Sequence, residues 1–338
     1  MRAIKAKLED AEKIKKELIK QKAINTEYRI KKDEEHIYFP LKDDFEKNNE
    51  LEIINTEFEK ARSKDKNLKK TLKKHLSEEE IEKLKTSFDT VGEIAILEID
   101  EDMRKREEII AKTLLQSHKN IKTILRKDDK HEGEFRTQKM KWLLGEKTKE
   151  ATHKENNVKI KVNVETIYFS PRLSSERKRI SEQVEKDEEI LVMFSGCAPY
   201  PCVLARNTKA KHITGIELNP EGHKYGLMNI EMNKIKNVTL INDDVNKACK
   251  KIKQKYDRIL MPLPKNAEDF LDAALSVSKK GTIIHFYNFL HEDEFREAER
   301  KVQEACKKNG FEYKKIILVK AGQQSPRTYR ICLDFKVE

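Results

Sequence analysis

Cysteine is sparse in this sequence and shows no pattern. Five residues (Cys197, Cys202, Cys249, Cys306, Cys332) are scattered through 338, odd in number and without a CxxC pair. Neither a zinc site nor a disulfide framework is indicated, so the expectation is no metal and a reducing, cytoplasmic setting. Long apolar runs are also missing. None approaches the roughly 20 residues that span a bilayer. The opening MRAIKAKLEDAEKIKK is charged throughout, with no apolar core of a secretory signal. A soluble chain with no membrane partner is expected. There is no internal repeat, and no biased tract beyond a preference for lysine.

Charge is what the chain has in quantity. Lys and Arg number 71 against 60 Asp and Glu, a net charge of +11, and charged residues make up 39% of the total. That balance suits a polyanionic partner. A Lys/Glu-rich surface of a heat-adapted protein is the alternative. At 338 residues, of which 37% are hydrophobic, the chain has material for two or three folding units.

The pattern divides into three segments. Residues 1–58 read as a small α/β unit: an amphipathic helix over 9–21, then short strands at 28–32 and 36–41. Residues 59–165 predict a mixed sheet with helices on it. Apolar residues at helical spacing run through 64–85, and TVGEIAILEI over 90–99 reads as one strand. A helix covers 103–116, and further strands lie at 121–126, 134–139 and 158–164. From 166 to 338 strand and helix alternate. Strands are predicted at 190–194, 213–218, 238–241, 257–261 and 282–287, with helices over 221–234, 267–279 and 292–308, and closing strands at 314–319 and 330–335. Such spacing argues for a parallel, doubly wound α/β sheet. The two closing strands, with no helix between them, suggest a hairpin at its edge, as in a seven-stranded methyltransferase sheet.

In an open parallel sheet the ligand sits beyond the carboxyl ends of the strands. The first strand runs into Phe194-Ser195-Gly196-Cys197-Ala198-Pro199-Tyr200, a small-residue turn that admits close backbone approach. It lacks the GxGxxG spacing of a dinucleotide fingerprint. Glu217 ends the second strand, where a carboxylate can accept two ribose hydroxyls. Asp243 and Asp244 end the third, within reach of an adenine amino group; Asn219 and Asp244 equally suit helix N-caps. With no phosphate-binding lysine motif, the set favours an adenosine cofactor without a pyrophosphate. Pro262-Leu263-Pro264 follows the fourth strand and stiffens the loop there.

Tyr168-Phe169-Ser170-Pro171-Arg172-Leu173-Ser174-Ser175-Glu176-Arg177 resembles the archaeal and eukaryotic tRNA (guanine-N1)-methyltransferases acting at position 37, Rossmann-fold enzymes unrelated to the knotted bacterial ones. The FSGxxPY turn and the LP loop support it, and the resemblance spans all three segments. It implies a C-terminal class I methyltransferase domain (166–338) behind two smaller α+β domains, 1–58 for tRNA recognition and 59–165 for RNA binding. It also implies S-adenosylmethionine as cofactor, the tRNA anticodon loop as partner, and a monomer. By the same resemblance Glu176 is the general base, and Arg136 of a GEFR stretch stabilises charge on the guanine carbonyl. Arg172 and Arg177 contact phosphate or cofactor; Tyr168, Ser170 and Pro171 face the substrate. Phe194, Ser195, Gly196, Glu217, Asn219, Asp243, Asp244 and Leu263 hold the cofactor, and Pro262 and Pro264 shape the catalytic edge.

The chemistry is consistent with those roles. Methylation at N1 requires removal of its proton, stabilisation of the oxyanion, alignment of base and methyl and extrusion of the base from its stack. Three positions depart from the pattern. Val192-Met193 stand where an acidic residue is usual, Ala198 where glycine is common, and Pro262 where the loop usually has asparagine. Such proline-bearing loops resemble an archaeal branch associated with wyosine biosynthesis, which also methylates C7 of 4-demethylwyosine to give isowyosine. The resemblance therefore implies a bifunctional enzyme. Two other readings stand beside it. One is a non-catalytic RNA-binding protein with a degenerate Rossmann domain. The other is a DNA or protein methyltransferase, disfavoured because Pro-Leu-Pro is not the Asn/Asp-Pro-Pro-Tyr expected for amine methylation.

Overall fold

The computed structural model describes residues 1–21, 23–33, 35–42, 45, 52–59, 68–128, 135, 137–263 and 265–338. The chain divides into two compact units, Met1–Thr71 and Leu72–Glu338. In the first, strands Lys31–Lys32, His36–Pro40, Arg2–Lys7 and Glu52–Asn55 lie in that order in an antiparallel sheet. Helix Ala11–Lys20 presents Leu18 to a core of Ile4, Ala6, Phe39 and Leu41. The helix and the His36–Pro40 strand fall where periodicity puts them; Arg2–Lys7 and Glu52–Asn55 are additional.

In the second unit, strands Phe88–Val91, Ile94–Leu97, Thr123–Lys127 and Met140–Gly145 form a mixed sheet, against which helix Glu107–Ser117 buries Ile110, Ala111 and Leu114. The single strand expected over 90–99 is instead a hairpin turn, with the end of strand Phe88–Val91 on one side and strand Ile94–Leu97 on the other. Gly92 turns the chain at φ +56°, and a Cβ there would stand 2.7 Å from the Thr152 carbonyl oxygen. The strand expected at 134–139 begins at Met140, and Glu134 lies outside the described residues. A hairpin, Glu150–Glu155 with Val158–Asn163, follows, turning on Asn156 and Asn157, both at positive φ.

The remaining sheet has seven strands: β1 (Glu189–Met193), β2 (His212–Glu217), β3 (Val238–Asn242), β4 (Tyr256–Met261), β5 (Ser278–His291), β6 (Tyr313–Ser325) and β7 (Thr328–Val337). Their order is 3-2-1-4-5-7-6. β1 to β5 are parallel, while β7 runs antiparallel to both neighbours. The helices are α1 (Ser174–Ser181), α2 (Pro199–Asn207), α3 (Pro220–Met232), α4 (Val245–Lys251), α5 (Leu271–Ser276) and α6 (Phe295–Lys308). β1 reads as an unbroken apolar run because both faces are covered. Asn229 of α3 and Asn233, its C-cap, grip the edge of the Val158–Asn163 strand, Asn229 through both the Lys161 N–H (2.7 Å) and carbonyl (2.9 Å). The 88–163 region and α2–α3 accordingly share one core, including Val91, Ile160, Cys197 and Tyr225.

Candidate active site

Order 3-2-1-4-5 puts the reversal of strand order between β1 and β4, and a cavity opens there at the carboxyl edge. Its floor is the turn after β1. Phe194, Gly196 and Ala198 all take positive φ (59°, 56°, 62°), which folds the chain back so that α2 starts at Pro199. The left-handed conformation of Ala198 explains why glycine suits that position; its methyl is accommodated at a cost of order 1 kcal/mol. Val192 and Met193, where the family pattern has an acid, are fully buried in the core, and that strand sends no carboxylate to the cavity.

Glu217 crosses to this turn from the end of β2. Its Oε2 accepts the Gly196 N–H at 2.6 Å and its Oε1 the Asn219 N–H at 2.8 Å. Burial pushes the carboxyl above its usual range, while those backbone N–H groups pull the other way. The carboxylate retains lone pairs for two further donors. Ser195 adds a buried hydroxyl with no hydrogen-bond partner among the described residues. Phe194 and Phe270, in edge contact at 4.8 Å, with Leu218, Val245 and Leu263, supply flat apolar walls. An adenosyl group fits this set: ribose hydroxyls on Glu217, purine between the apolar walls.

Several expected residues meet here. Tyr168, Ser170, Arg177, Phe194, Ser195, Gly196, Glu217, Asn219, Asp244, Pro262 and Leu263 line the cavity. Asn219 and Asp244 also cap α3 and α4, so the two readings of these residues hold together. Asp243 turns away to Lys251 Nζ at 2.7 Å, which holds its carboxyl below the usual range. Arg177 lines the cavity but its charge is spent on Glu155, through Nε (2.5 Å) and Nη2 (2.7 Å), leaving none for a phosphate. Its Nη2 also holds the Ser170 carbonyl at 3.0 Å, fixing the cavity wall. Arg172 pairs with Asp89 at 2.6 Å, with most of its side chain in solvent. Together with Pro171, Lys127 and Arg330 it lines a second cavity that shares Tyr168, Phe169, Ser170 and Leu173 with the first. Arg136 and Pro264 lie outside the described residues; Phe135, beside Arg136, lines the first cavity.

Glu176 sits behind the wall. Arg179 grips it with Nε (2.8 Å) and Nη2 (2.7 Å), and the Tyr287 hydroxyl donates to Oε1 at 2.6 Å. Arg179 in turn reaches Asp334 at 2.6 Å. Tyr287, Arg179, Asp334 and Glu155 carry no motif. The available signal was a polar residue on an apolar strand, as in RICLDFKV.

Sheet order and the carboxyl-edge cavity put the chain among Rossmann-type methyltransferases. Its sequence matches the TRM5/TYW2 methyltransferase domain over residues 151–314, the TYW2 N-terminal domain over 68–148 and the tRNA methyltransferase 5 N-terminal domain over 3–49. It is 32% identical over 336 residues to tRNA (guanine(37)-N(1))-methyltransferase Trm5b of Pyrococcus abyssi, covering 99% of this chain and 98% of that one. It is 37% identical over 270 residues to tRNA (guanine(37)-N(1))/4-demethylwyosine(37)-methyltransferase Taw22 of Nanoarchaeum equitans, covering 64% and 88%. The solved complex of aTrm5 and tRNALeu superposes with a TM-score of 0.72 at 28% identity, covering 100% of both chains. The chain belongs to the TRM5/TYW2 methyltransferase family.

The raised position of Glu217 carries a prediction. Cofactor affinity falls as the carboxyl protonates, and the fall begins at a higher pH than the usual glutamate value of 4.5. Calorimetric titration of wild type and Glu217→Gln from pH 7.5 to 5 checks it. The variant should bind weakly and without that pH dependence; a parallel dependence in both would assign the titration elsewhere.

Proposed function

We propose that this protein methylates N1 of guanosine at position 37 of tRNA with S-adenosylmethionine. The observation that carries the reading is likeness to a tRNA (guanine(37)-N(1))-methyltransferase over 99% of the chain, joined to a cavity whose residues suit an adenosyl group. The bound cofactor supplies an electrophilic methyl group; the protein supplies position and proton traffic. Glu217, Asn219, Ser195 and Asp244 hold the adenosyl moiety. Glu176 is the terminal proton acceptor. Arg136 stabilises the oxyanion that forms as N1 loses its proton. Arg172 and Tyr168 face the RNA from the second cavity. Residues 1–58 take part in tRNA recognition, 59–165 bind RNA, and the enzyme works as a monomer.

A second substrate belongs to the same reading. Likeness to Taw22 and Pro262 in the cavity wall, which puts no amide donor or acceptor beside the target base, favour methylation of 4-demethylwyosine at C7. Nucleoside mass spectrometry tests both activities. Incubation of unmodified tRNA with protein and cofactor should give N1-methylguanosine from position 37; tRNA carrying 4-demethylwyosine should gain one methyl on the tricycle. No product from guanosine would overturn the main reading, and none from the tricycle would remove the second.

A further inference from the structure

The cavity's link to Glu176 runs through two phenols. Tyr200, at the start of α2, lines the cavity. Its hydroxyl is 3.0 Å from that of Tyr287 on β5, which donates to Glu176 at 2.6 Å. We propose that Tyr200 and Tyr287 form a proton wire from the substrate to Glu176. The proposal rests on the reading above, in which Glu176 is the terminal base.

The polarity of the wire follows from its end. Tyr287 has one O–H, and it points at Glu176, so the contact between the two phenols is made by Tyr200 donating to Tyr287. The oxygen of Tyr200 is left with a free lone pair, on a residue that lines the cavity. When N1–H breaks, its electron pair stays on nitrogen and its proton bonds to the Tyr200 oxygen. The Tyr200 proton passes to Tyr287, and that of Tyr287 to Glu176 Oε1. Both tyrosines end neutral and Glu176 ends protonated.

Direct contact is the alternative, and the geometry opposes it. Glu176 is absent from the cavity lining that includes Tyr200, and both its oxygens already accept from Arg179. Reaching the purine would require breaking that two-pronged grip, a charge-assisted pair of the strong kind. Arg179 is itself anchored by Asp334, and Asp334 by His285 at 2.7 Å. The charged and titratable groups around the phenols are Glu176, Arg177 (5.9 Å from the Tyr200 ring) and Cys332. Burial first, and then neighbouring negative charge, pushes both hydroxyls up, so each stays protonated and transmits a proton without holding an anion.

Single-turnover methyl transfer on guanosine-37 tRNA tests this with Tyr287→Phe, Tyr200→Phe and Glu176→Gln, with calorimetric cofactor binding as the check on folding. At pH 7 both phenylalanine variants should slow transfer about 100-fold, in the range of lost general-base catalysis, and bind cofactor normally. Their defect should shrink as rising pH removes the N1 proton without help. In mixed H2O/D2O, wild type should give a bowed proton inventory, which the variants lose. Three outcomes overturn the wire: wild-type rates in Tyr287→Phe beside a slow Glu176→Gln, a defect in Tyr287→Phe that is the same at every pH, or a linear wild-type inventory. Wild-type rates in Glu176→Gln as well would remove Glu176 from the base role altogether.

Discussion

Glu155→Ala is expected to destabilise the protein by about 3–5 kcal/mol, the usual consequence of stripping one partner from a buried ion pair. Side chains of Glu155 and Arg177 are each 2% exposed, and the two groups meet through a two-pronged contact. Burial alone would push the Glu155 carboxyl up, but His153 and Arg177 together hold it below its usual range. Without the carboxylate, the guanidinium keeps, among the described residues, the Ser170 carbonyl and the faces of Phe169 and Tyr200, 5.3 and 5.9 Å from their ring centres. That does not balance an isolated buried charge. Because Arg177 holds Ser170, the cavity wall loosens with it, and cofactor affinity should fall alongside stability. Urea unfolding and calorimetric binding measure the two effects. Glu155→Leu combined with Arg177→Met should recover much of the stability, since apolar pairs of similar volume commonly replace buried ion pairs well, while leaving cofactor binding weak. If Glu155→Ala unfolds at the wild-type urea concentration, the pair holds nothing together.

The contrast between what could and could not be read from the sequence follows sequence separation. β1 to β4 lie within a residue or two of their expected places, because buried parallel strands are short apolar runs bounded by turns. Glu217 and Asp244 were legible because a strand end fixes where its next residue points. β5 was not fully legible. It begins at Ser278 inside the segment expected to be helix, since Ser278-Lys279-Lys280-Gly281 carries no apolar alternation and is held by pairing with β4 across a register shift. Helix α4 escaped for a similar reason: VNKACKK is too short to show a period. Arg177, on helix α1, looked like an anion ligand because its partner is 22 residues away, on the Glu150–Glu155 strand. Tyr287 lies 111 residues from Glu176, and no local pattern joins them.

Asp334→Asn should be the most damaging change where β5 pairs with β7, again about 3–5 kcal/mol, and its size should depend on pH. Asp334 is fully buried and accepts from Arg179 Nη1 (2.6 Å), His285 Nδ1 (2.7 Å), Gln183 (3.3 Å) and Cys332 Sγ (3.1 Å). A guanidinium can only donate, so Arg258 Nη1, 2.8 Å from His285 Nε2, makes that nitrogen the acceptor. His285 is therefore neutral and gives its Nδ1–H to Asp334, in keeping with the downward push of burial on the imidazole. An amide at position 334 presents one N–H2 to this ring of donors and leaves at least one of them unpaired. Burial would raise the carboxyl of Asp334, but His285 and Arg179 overcome it and hold the group well below the usual 3.8. A folded-state value below the unfolded one means that the stabilisation is complete above the ordinary carboxylate range and disappears as pH falls through the folded value. The gap between wild type and Asp334→Asn in urea unfolding should accordingly be widest near pH 7 and narrow below about pH 4. A gap of constant width down to pH 3 would mean that packing around position 334, and not its charge, is what the variant removes.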